Sequence, residues 1–530
     1  MRPGRNHRLV AGALVAVALV EAYAVGMATP PGNDERLYLA MARAIEAPDY
    51  EIPRRPTVDG SPFIGNPPLV VFVAATARRF VGDGLEALRV VHLLLFLTLF
   101  LGVTYALARR LFGPRAGLFA LFLACLVEPL AIHGGHVRLD VPLAALGGLA
   151  LLLGHAAVHG RRRRRAATIG SALALAAAVH VKYEAIFVPA ALGLHGLWRS
   201  WRERRVDRRT AWLLAAQAAA SGLVLLGWFA WIDAADAGLE RFGEVGAKHL
   251  GPASLAELWD GFERPLRRFV LFAGLPVVGL AVVTLGARRG RAVASSRSLA
   301  FPIAWIGAAI VLQVLVDRGA ERHLVKALPP LLALASGVPM LAVPLRQRRA
   351  ERWVVGALPV LAALAGAALL LVWWSTGVVV AAIGAATVGL VFVARCGSVA
   401  ARLVRRGAVA SLGALAGFAA VQHLAAPNLT ARFGPMMRAE VARVSAVAVA
   451  AREWAGPDGV VAYPRAEYGY YDGGPYVLVA GGPPRVEELL GSVVRVVLVV
   501  VESEGSAAAL AARGWTPVLT WPGGLRAFAP

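Results

Sequence analysis

Long apolar runs, separated by short polar or arginine-rich segments, occupy the first 425 or so residues of the chain. Many of these runs approach the ~20 residues that an α-helix needs to cross the hydrocarbon core of a membrane. We therefore predict an α-helical polytopic membrane protein with about thirteen transmembrane helices. The predicted spans are residues 9–28, 88–108, 116–132, 141–159, 166–181, 185–198, 211–232, 269–286, 299–316, 324–345, 353–374, 376–394 and 407–425.

The pattern divides the chain into a transmembrane domain, residues 1–426, and a C-terminal segment, residues 427–530. A polar, proline-rich first external loop, residues 29–87, follows the first span. Its apolar stretch 67–82 contains Arg78-Arg79, and we predict that this stretch lies in the membrane interface as an amphipathic helix.

After residue 427 the pattern becomes that of a soluble domain. Residues 438–454 have the periodicity of an amphipathic helix, and β-branched runs predict strands at 460–463, 476–480, 493–501 and 515–520. We predict a small α/β domain of about 100 residues. Because the span number is odd and the N-terminus is predicted to be cytoplasmic, this domain is expected to be extracytoplasmic.

Composition excludes a soluble globule, since 58% of the 530 residues are hydrophobic and the mean hydropathy is +0.61. The net charge of +22 falls in short arginine clusters between spans, as the positive-inside rule expects for cytoplasmic loops. It does not indicate a nucleic-acid surface. Two cysteines, Cys125 and Cys396, offer neither a disulfide framework nor a metal site.

Candidate chemistry begins just beyond the first span, where Asp34 and Glu35 stand next to each other. A carboxylate at the membrane edge can take a proton from a hydroxyl while a lipid-borne substrate is bound from the bilayer. The alternative interpretation is an acidic helix start, in which Asn33 or Asp34 caps the helix and Glu35 favours its dipole.

Further polar motifs recur at predicted span ends, mostly on the outer side. In chain order they are Asp34-Glu35, Asn66-Pro67-Pro68-Leu69, Ala108-Arg109-Arg110-Leu111-Phe112-Gly113 (an inner loop), Arg138-Leu139-Asp140-Val141-Pro142-Leu143, Val181-Lys182-Tyr183 and Arg322-His323. In order and spacing they resemble GT-C type membrane glycosyltransferases that use polyprenyl-phosphate sugars. The resemblance is to the branch that contains the protein O-mannosyltransferases and the lipid A aminoarabinose transferase.

This resemblance implies an inverting transfer of a hexosyl or pentosyl group from a polyprenyl-phosphate donor to a hydroxyl of an envelope glycan, lipid or protein. Asp34 matches the catalytic base, and Glu35 and Asp140 are the other candidate catalytic residues. Donor-binding candidates are Asn66, Arg138, Lys182, Tyr183, Arg322 and His323. The resemblance requires no cofactor beyond the lipid-phosphate-linked sugar, which is the donor substrate. It is compatible with a divalent metal, but no residue pattern indicates one. The implied location is the plasma membrane.

Other interpretations stay open at this point. Arg138 can be a headgroup anchor, Asp140 a helix start and Lys182 a snorkelling side chain. Asn66 stands where many relatives have lysine, which makes a catalytically degenerate carrier-binding relative a third hypothesis beside a transporter or flippase of lipid-linked saccharides. His133, His136 and His180 lack the carboxylates that would complete a metal site. The sequence names neither the sugar nor the acceptor.

Overall fold

The computed structural model describes a large part of the transmembrane region and of the C-terminal segment. The described residues are 5–28, 35, 38–39, 41–42, 67–82, 84–160, 164–204, 206–234, 277–278, 280–281, 284, 296–316, 321–337, 429–464, 476–478, 489, 496–522 and 524–530. The predicted spans at 353–374, 376–394 and 407–425 lie outside these residues, as does most of 269–286.

Helices make up the described part of the transmembrane region. They are α1 (Arg5–Ala28), α2 (Leu69–Val81), α3 (Leu85–His92), α4 (Thr98–Phe112), α5 (Pro114–Cys125), α6 (Glu128–Gly134), α7 (Asp140–His159), α8 (Arg164–Val179), α9 (Phe187–Glu203), α10 (Arg208–Ala234), α11 (Ser296–Val316) and α12 (Leu328–Ala335). A π-helical turn, Leu93–Leu97, joins α3 to α4, and 3₁₀ turns at Tyr183–Ile186 and Glu321–Ala327 precede α9 and α12.

Among the described residues, four helices are long and apolar enough to cross a membrane. They are Asn6–Gly26, Leu85–Phe112, Asp140–His159 and Arg208–Trp231. Helix α2 has 13 residues, so at 1.5 Å per residue it is about 20 Å long and shorter than the ~30 Å hydrocarbon core. Its interfacial location stays a prediction.

The predicted span at 116–132 differs from the structure, which has two helices there, α5 and α6, separated by Leu126 and Val127. Pro129 explains the break, because proline cannot donate the backbone hydrogen bond that a continuous helix needs and is favoured in the first turn of a new one. Two short helices, α5 and α6, therefore precede the segment that contains Arg138.

Helix α7 lies at the centre of the described bundle and packs against α4, α8, α9 and the 3₁₀ turn Glu321–Ala327. Two adjacent small residues allow close packing: a Cβ atom on Gly147 would come 2.7 Å from the ring of Phe187, and one on Gly148 would come 3.1 Å from Trp305. Helix α7 is therefore held on several sides, which fixes Asp140 at its first turn.

The C-terminal segment contains a five-stranded sheet in the order β2-β1-β3-β5-β4. Its elements are α13 (Leu429–Ala455), β1 (Val460–Tyr463), β2 (Tyr476–Leu478), β3 (Val496–Val501), α14 (Glu504–Ala511), β4 (Thr516–Thr520) and β5 (Arg526–Ala529). Strand β1 runs parallel to β2 and β3, whereas β5 pairs antiparallel with β3 and β4. The sequence did not predict β5, since Phe528 is the one strong strand former in its four residues. The domain boundary at 427 stays a prediction.

Candidate active site

Five ionisable side chains meet at the first turn of α7. Asp140 begins that helix, Lys182 and Glu184 flank Tyr183 before α9, and His323 and Lys326 lie on the 3₁₀ turn before α12. Three segments far apart in sequence therefore contribute to one cluster, which we call the α7 ion cluster.

Lys182 contacts three other members of the α7 ion cluster. Its Nζ atom lies 2.6 Å from Glu184 Oε1, 3.6 Å from Asp140 Oδ1 and 3.2 Å from His323 Nε2. His323 Nδ1 also lies 3.2 Å from Glu184 Oε1. The second carboxylate oxygen of Glu184 accepts a hydrogen bond from Lys326.

The charges in this cluster balance, with two carboxylates, Asp140 and Glu184, facing two ammonium groups, Lys182 and Lys326. Burial alone would raise the pKa of Glu184, but the attraction of Lys182, His323 and Lys326 outweighs it and holds that pKa well below its usual value. Glu184 is therefore ionised at neutral pH.

The two lysines differ in access to solvent, and this difference separates their roles. The side chain of Lys326 is fully buried, and its Nζ lies 3.3 Å from Gln313 Oε1, while its carbonyl accepts a 3.0 Å bond from Trp305 Nε1. The Lys182 side chain is 12% exposed. Lys326 thus neutralises Glu184 from the buried side of the cluster, and Lys182 presents its charge at the partly exposed edge.

A second buried ion pair, Glu35 with Arg89, is bonded to Val137, three residues before Asp140. The carboxylate of Glu35 accepts bonds from Arg89 at 2.6 and 2.9 Å and from the backbone N–H of Val137 at 2.9 Å. Both side chains are almost fully buried. Burial raises the pKa of Glu35, but the Arg89 guanidinium and the Val137 N–H more than offset this, and the net pKa is lowered.

This ion pair connects α1, α3 and the segment that precedes α7. Arg89 also donates to the carbonyl of Gly26 near the end of α1. A Cβ atom on Gly26 would overlap the carbonyl of Gly135, and one on Gly135 would overlap the carbonyl of Ala22. The two backbones therefore approach so closely that only glycine fits, which brings Val137 within reach of Glu35.

Arg138 follows Val137 in the chain, and one end of its guanidinium contacts His133. Its guanidinium NH1 lies 3.2 Å from His133 Nδ1, and its buried Nε has no hydrogen-bond partner among the described residues. His136 donates a 2.7 Å hydrogen bond from Nδ1 to the carbonyl oxygen of Ile132. Burial lowers the pKa of His136 to about 4, so this ring is neutral at pH 7.

Tyr183 and the Pro67-Pro68 turn adjoin the same region. The Tyr183 hydroxyl accepts a 2.8 Å bond from Trp228 Nε1, and burial raises the Tyr183 pKa to about 12. The backbone N–H of Leu69, directly after the Pro-Pro turn, donates a 3.0 Å bond to the carbonyl of His180. The turn is thereby attached to the segment that carries Lys182.

The structure brings together Asp140, Lys182 and His323 from the predicted site, and connects Glu35 to the segment containing Arg138. Asp34 and Asn66 lie outside the described residues, as does the side chain of Arg322. Three further members of the region were not among the predicted site residues: Arg89, Glu184 and Lys326. Glu184 directly follows the Lys182-Tyr183 motif, which is a signal that sequence reasoning had available.

Comparison with known proteins identifies related sequences and folds. Residues 65–228 match a family model described as dolichyl-phosphate-mannose-protein mannosyltransferase. This range contains the Pro-Pro turn, Arg138 to Asp140 and Lys182 to Glu184, and it ends before His323. No curated protein matches the chain.

Solved structures show the same fold along almost the whole chain. ArnT from Cupriavidus metallidurans in the apo state superposes with a TM-score of 0.66 at 19% identity, over 97% of each chain. The same protein bound to undecaprenyl phosphate gives 0.65 at 19% identity, over 97% of each chain. The archaeal oligosaccharyltransferase AglB from Archaeoglobus fulgidus, in complex with an inhibitory peptide and a dolichol-phosphate, gives 0.51 at 14% identity, over 99% of this chain and 75% of that one.

The resemblance to GT-C type membrane glycosyltransferases is thus confirmed, both by the family model and by the fold. The chain is a helical membrane protein with this fold.

Proposed function

We propose that this protein is a glycosyltransferase that moves a sugar from a polyprenyl-phosphate carrier to a hydroxyl of an envelope glycan, lipid or protein. The reaction is placed at the extracytoplasmic face of the plasma membrane, on the same side as the C-terminal domain. The observation that carries the proposal is the α7 ion cluster, in which Lys182 presents a partly exposed charge where three motif segments meet.

Lys182 is proposed to bind the carrier phosphate. A phosphate leaving group gains negative charge as the glycosidic bond breaks, and fixed cations stabilise that charge. Because Glu184 also pairs with Lys326 and His323, the arrival of a phosphate can draw Lys182 away from Glu184 without leaving the Glu184 carboxylate unpaired. Arg138 and Arg322 are proposed as further phosphate ligands.

Asp34 is proposed as the general base that deprotonates the acceptor hydroxyl as it attacks the anomeric carbon. Phosphate leaves as an anion, so a single base suffices and a second carboxylic acid is not needed, unlike glycoside hydrolysis. Inversion follows from a single displacement. Support comes from Glu35, the chain neighbour of Asp34, whose bond to Val137 ties this part of the chain to the segment before α7.

Glu35 is proposed to act as a positioning residue, since Arg89 and the Val137 N–H occupy both of its carboxylate oxygens. Asp140 is proposed to orient Lys182 and His323, which lie 3.6 and 3.9 Å from its Oδ1 atom. This division leaves Asp34 for proton transfer.

Binding of undecaprenyl phosphate to the purified protein tests the phosphate role of Lys182. We expect Lys182→Ala to weaken binding by about tenfold or more, because a charge-assisted contact to phosphate contributes roughly 1.5–3 kcal/mol. Arg165→Ala, an exposed arginine of α8, is the matched control and should bind like the wild type. Equal affinity in all three proteins would place the phosphate elsewhere.

Mass spectrometry of envelope glycans and lipids, with and without the gene, tests the activity itself. Loss of one glycosylated product together with accumulation of its lipid-linked sugar donor is expected. A second assay distinguishes a transporter of lipid-linked saccharides. Purified protein is given donor and acceptor on the same side of a membrane, and a transporter would transfer no sugar between them.

A further inference from the structure

Three histidines meet at the end of α7 that is remote from Asp140. His155 and His159 lie one helical turn apart on α7, and His195 lies on α9. Each offers one ring nitrogen, and these three atoms lie within 4.8 Å of one another. His155 is 15 residues along α7 from Asp140, or about 22 Å at 1.5 Å per residue, so the trio is separate from the α7 ion cluster.

The ring geometry is close to that of a metal centre. His159 Nε2 and His195 Nε2 are 3.1 Å apart. Two nitrogens bound to one tetrahedral Zn²⁺ at 2.0–2.1 Å would lie about 3.4 Å apart, so small ring rotations suffice to admit the ion. The i, i+4 spacing of His155 and His159 places both rings on one face of α7, towards α9.

Two ring nitrogens in the trio make no hydrogen bond to the described residues. The Nδ1 atoms of His155 and His195 are buried and have no hydrogen-bond partner among the described residues. A buried polar atom without a partner costs free energy and calls for an explanation such as an ion. Each of these two histidines can bind an ion through Nδ1 after a rotation of its ring, or through its other ring nitrogen, Nε2.

The surroundings indicate which kind of ion fits. Arg110 and Arg199 are close enough to act electrostatically on the rings, and Arg199 is paired with Asp207 at 2.7 Å and with Glu203 at 3.6 Å. The trio contains no carboxylate, so the ligand atoms that it offers are imidazole nitrogens. Mg²⁺ and Ca²⁺ prefer oxygen ligands, whereas Zn²⁺ and its first-row neighbours accept imidazole.

We propose that His155, His159 and His195 bind a divalent transition-metal ion of the Zn²⁺ type, which links the end of α7 to α9. His155 and His195 are buried, and His159 is exposed. The ion has a structural role: it fixes the packing of α7 on α9 at the end of α7 that is remote from the candidate active site.

Metal content of full-length protein, purified through a tag without histidine, tests the proposal. The protein is incubated with Zn²⁺, freed of unbound ion by gel filtration and measured by inductively coupled plasma mass spectrometry. We expect about one zinc per chain and a higher melting temperature than in protein treated with a chelator. His159→Ala and His195→Ala should each retain less than about a tenth of that zinc.

Two controls separate specific ligation from misfolding and from surface binding. His7→Ala removes a histidine near the start of α1, outside the trio, and should retain the full zinc content. His159→Ala removes an exposed side chain, so its monodisperse elution should match the wild type. Wild-type protein without retained zinc, or variants of the trio with undiminished zinc, would overturn the proposal.

Discussion

The buried pair of Glu35 and Arg89 makes the sharpest energetic prediction. The side chains of Glu35 and Arg89 are 0% and 2% exposed, and removal of one partner breaks the ion pair while the other charge stays buried. Loss of one partner of such a pair costs about 3–5 kcal/mol. We therefore expect Arg89→Met and Glu35→Gln each to lower the stability of the protein by about this amount.

The double variant should lose much less than the sum of the two single losses, because neither charge remains. A glutamine at position 35 keeps an oxygen for the Val137 N–H, so the remaining cost comes mainly from the carbonyl of Gly26, which loses the bond from Arg89. One unmade hydrogen bond of this kind costs about 1–3 kcal/mol. The coupling between the two changes is then at least about 3 kcal/mol.

Thermal unfolding of the purified variants in lipid nanodiscs, followed by intrinsic fluorescence, measures these effects as changes in melting temperature. Arg526→Met is the matched control: Arg526 pairs with Glu504 at 2.9 Å, but the two side chains are 37% and 80% exposed. Exposed pairs contribute 0–1 kcal/mol, so this control should unfold near the wild-type temperature. Additive losses in the double variant would refute the reasoning.

Three further predictions concern other parts of the molecule. Gly135→Ala should reduce thermal stability and donor binding together, because its Cβ atom would overlap the carbonyl of Ala22; an unchanged melting temperature would contradict this close approach. The pKa of Glu184 is held below its ordinary value of 4.5, so its stabilising contribution is present above that pH and is lost as the pH falls through the lower value in the folded protein. Melting temperatures between pH 7 and pH 3 should therefore fall less steeply in Glu184→Gln than in the wild type, and parallel curves would argue against the assignment. Single cysteines introduced at 161–165 should resist membrane-impermeant thiol reagents on intact cells, whereas labelling there would invert the predicted topology.

Hydrophobic patterning predicted the long helices of the described region because their lengths and compositions are dictated by the bilayer. Span parity placed Asp140, Lys182 and His323 at one face, and the structure shows them in contact. Motif order alone supplied the resemblance that the family model and the fold confirm. These features depend on local composition and on the alternation of loops, both of which are readable along the chain.

Pairings between distant segments were not readable in this way. Lys326 and Glu184 are 142 residues apart, and Arg89 pairs with Glu35 across 54 residues. Periodicity gives no sign of which buried charge meets which. The break after Cys125 could have been predicted, since Pro129 stood inside an apolar run that was assigned as one span.

The histidine trio shows the same limit. The i, i+4 spacing of His155 and His159 is visible in the sequence, but His195 reaches them only through the packing of α9 on α7. His133, His136 and His180, which lie near predicted outer span ends, are not part of this trio.

Sugar transfer in cells that carry Asp34→Asn tests the central claim most directly. The gene is deleted and replaced by the wild type, Asp34→Asn or Asp140→Asn, and the glycosylated envelope product is quantified by mass spectrometry at equal protein levels. An amide keeps the size of the carboxylate but accepts no proton, so Asp34→Asn should cut transfer by ~10²–10⁴ with undecaprenyl phosphate binding near normal. Asp140→Asn should give a smaller loss that includes weaker binding. Wild-type levels of product in Asp34→Asn would contradict the proposed base and, with it, the mechanism.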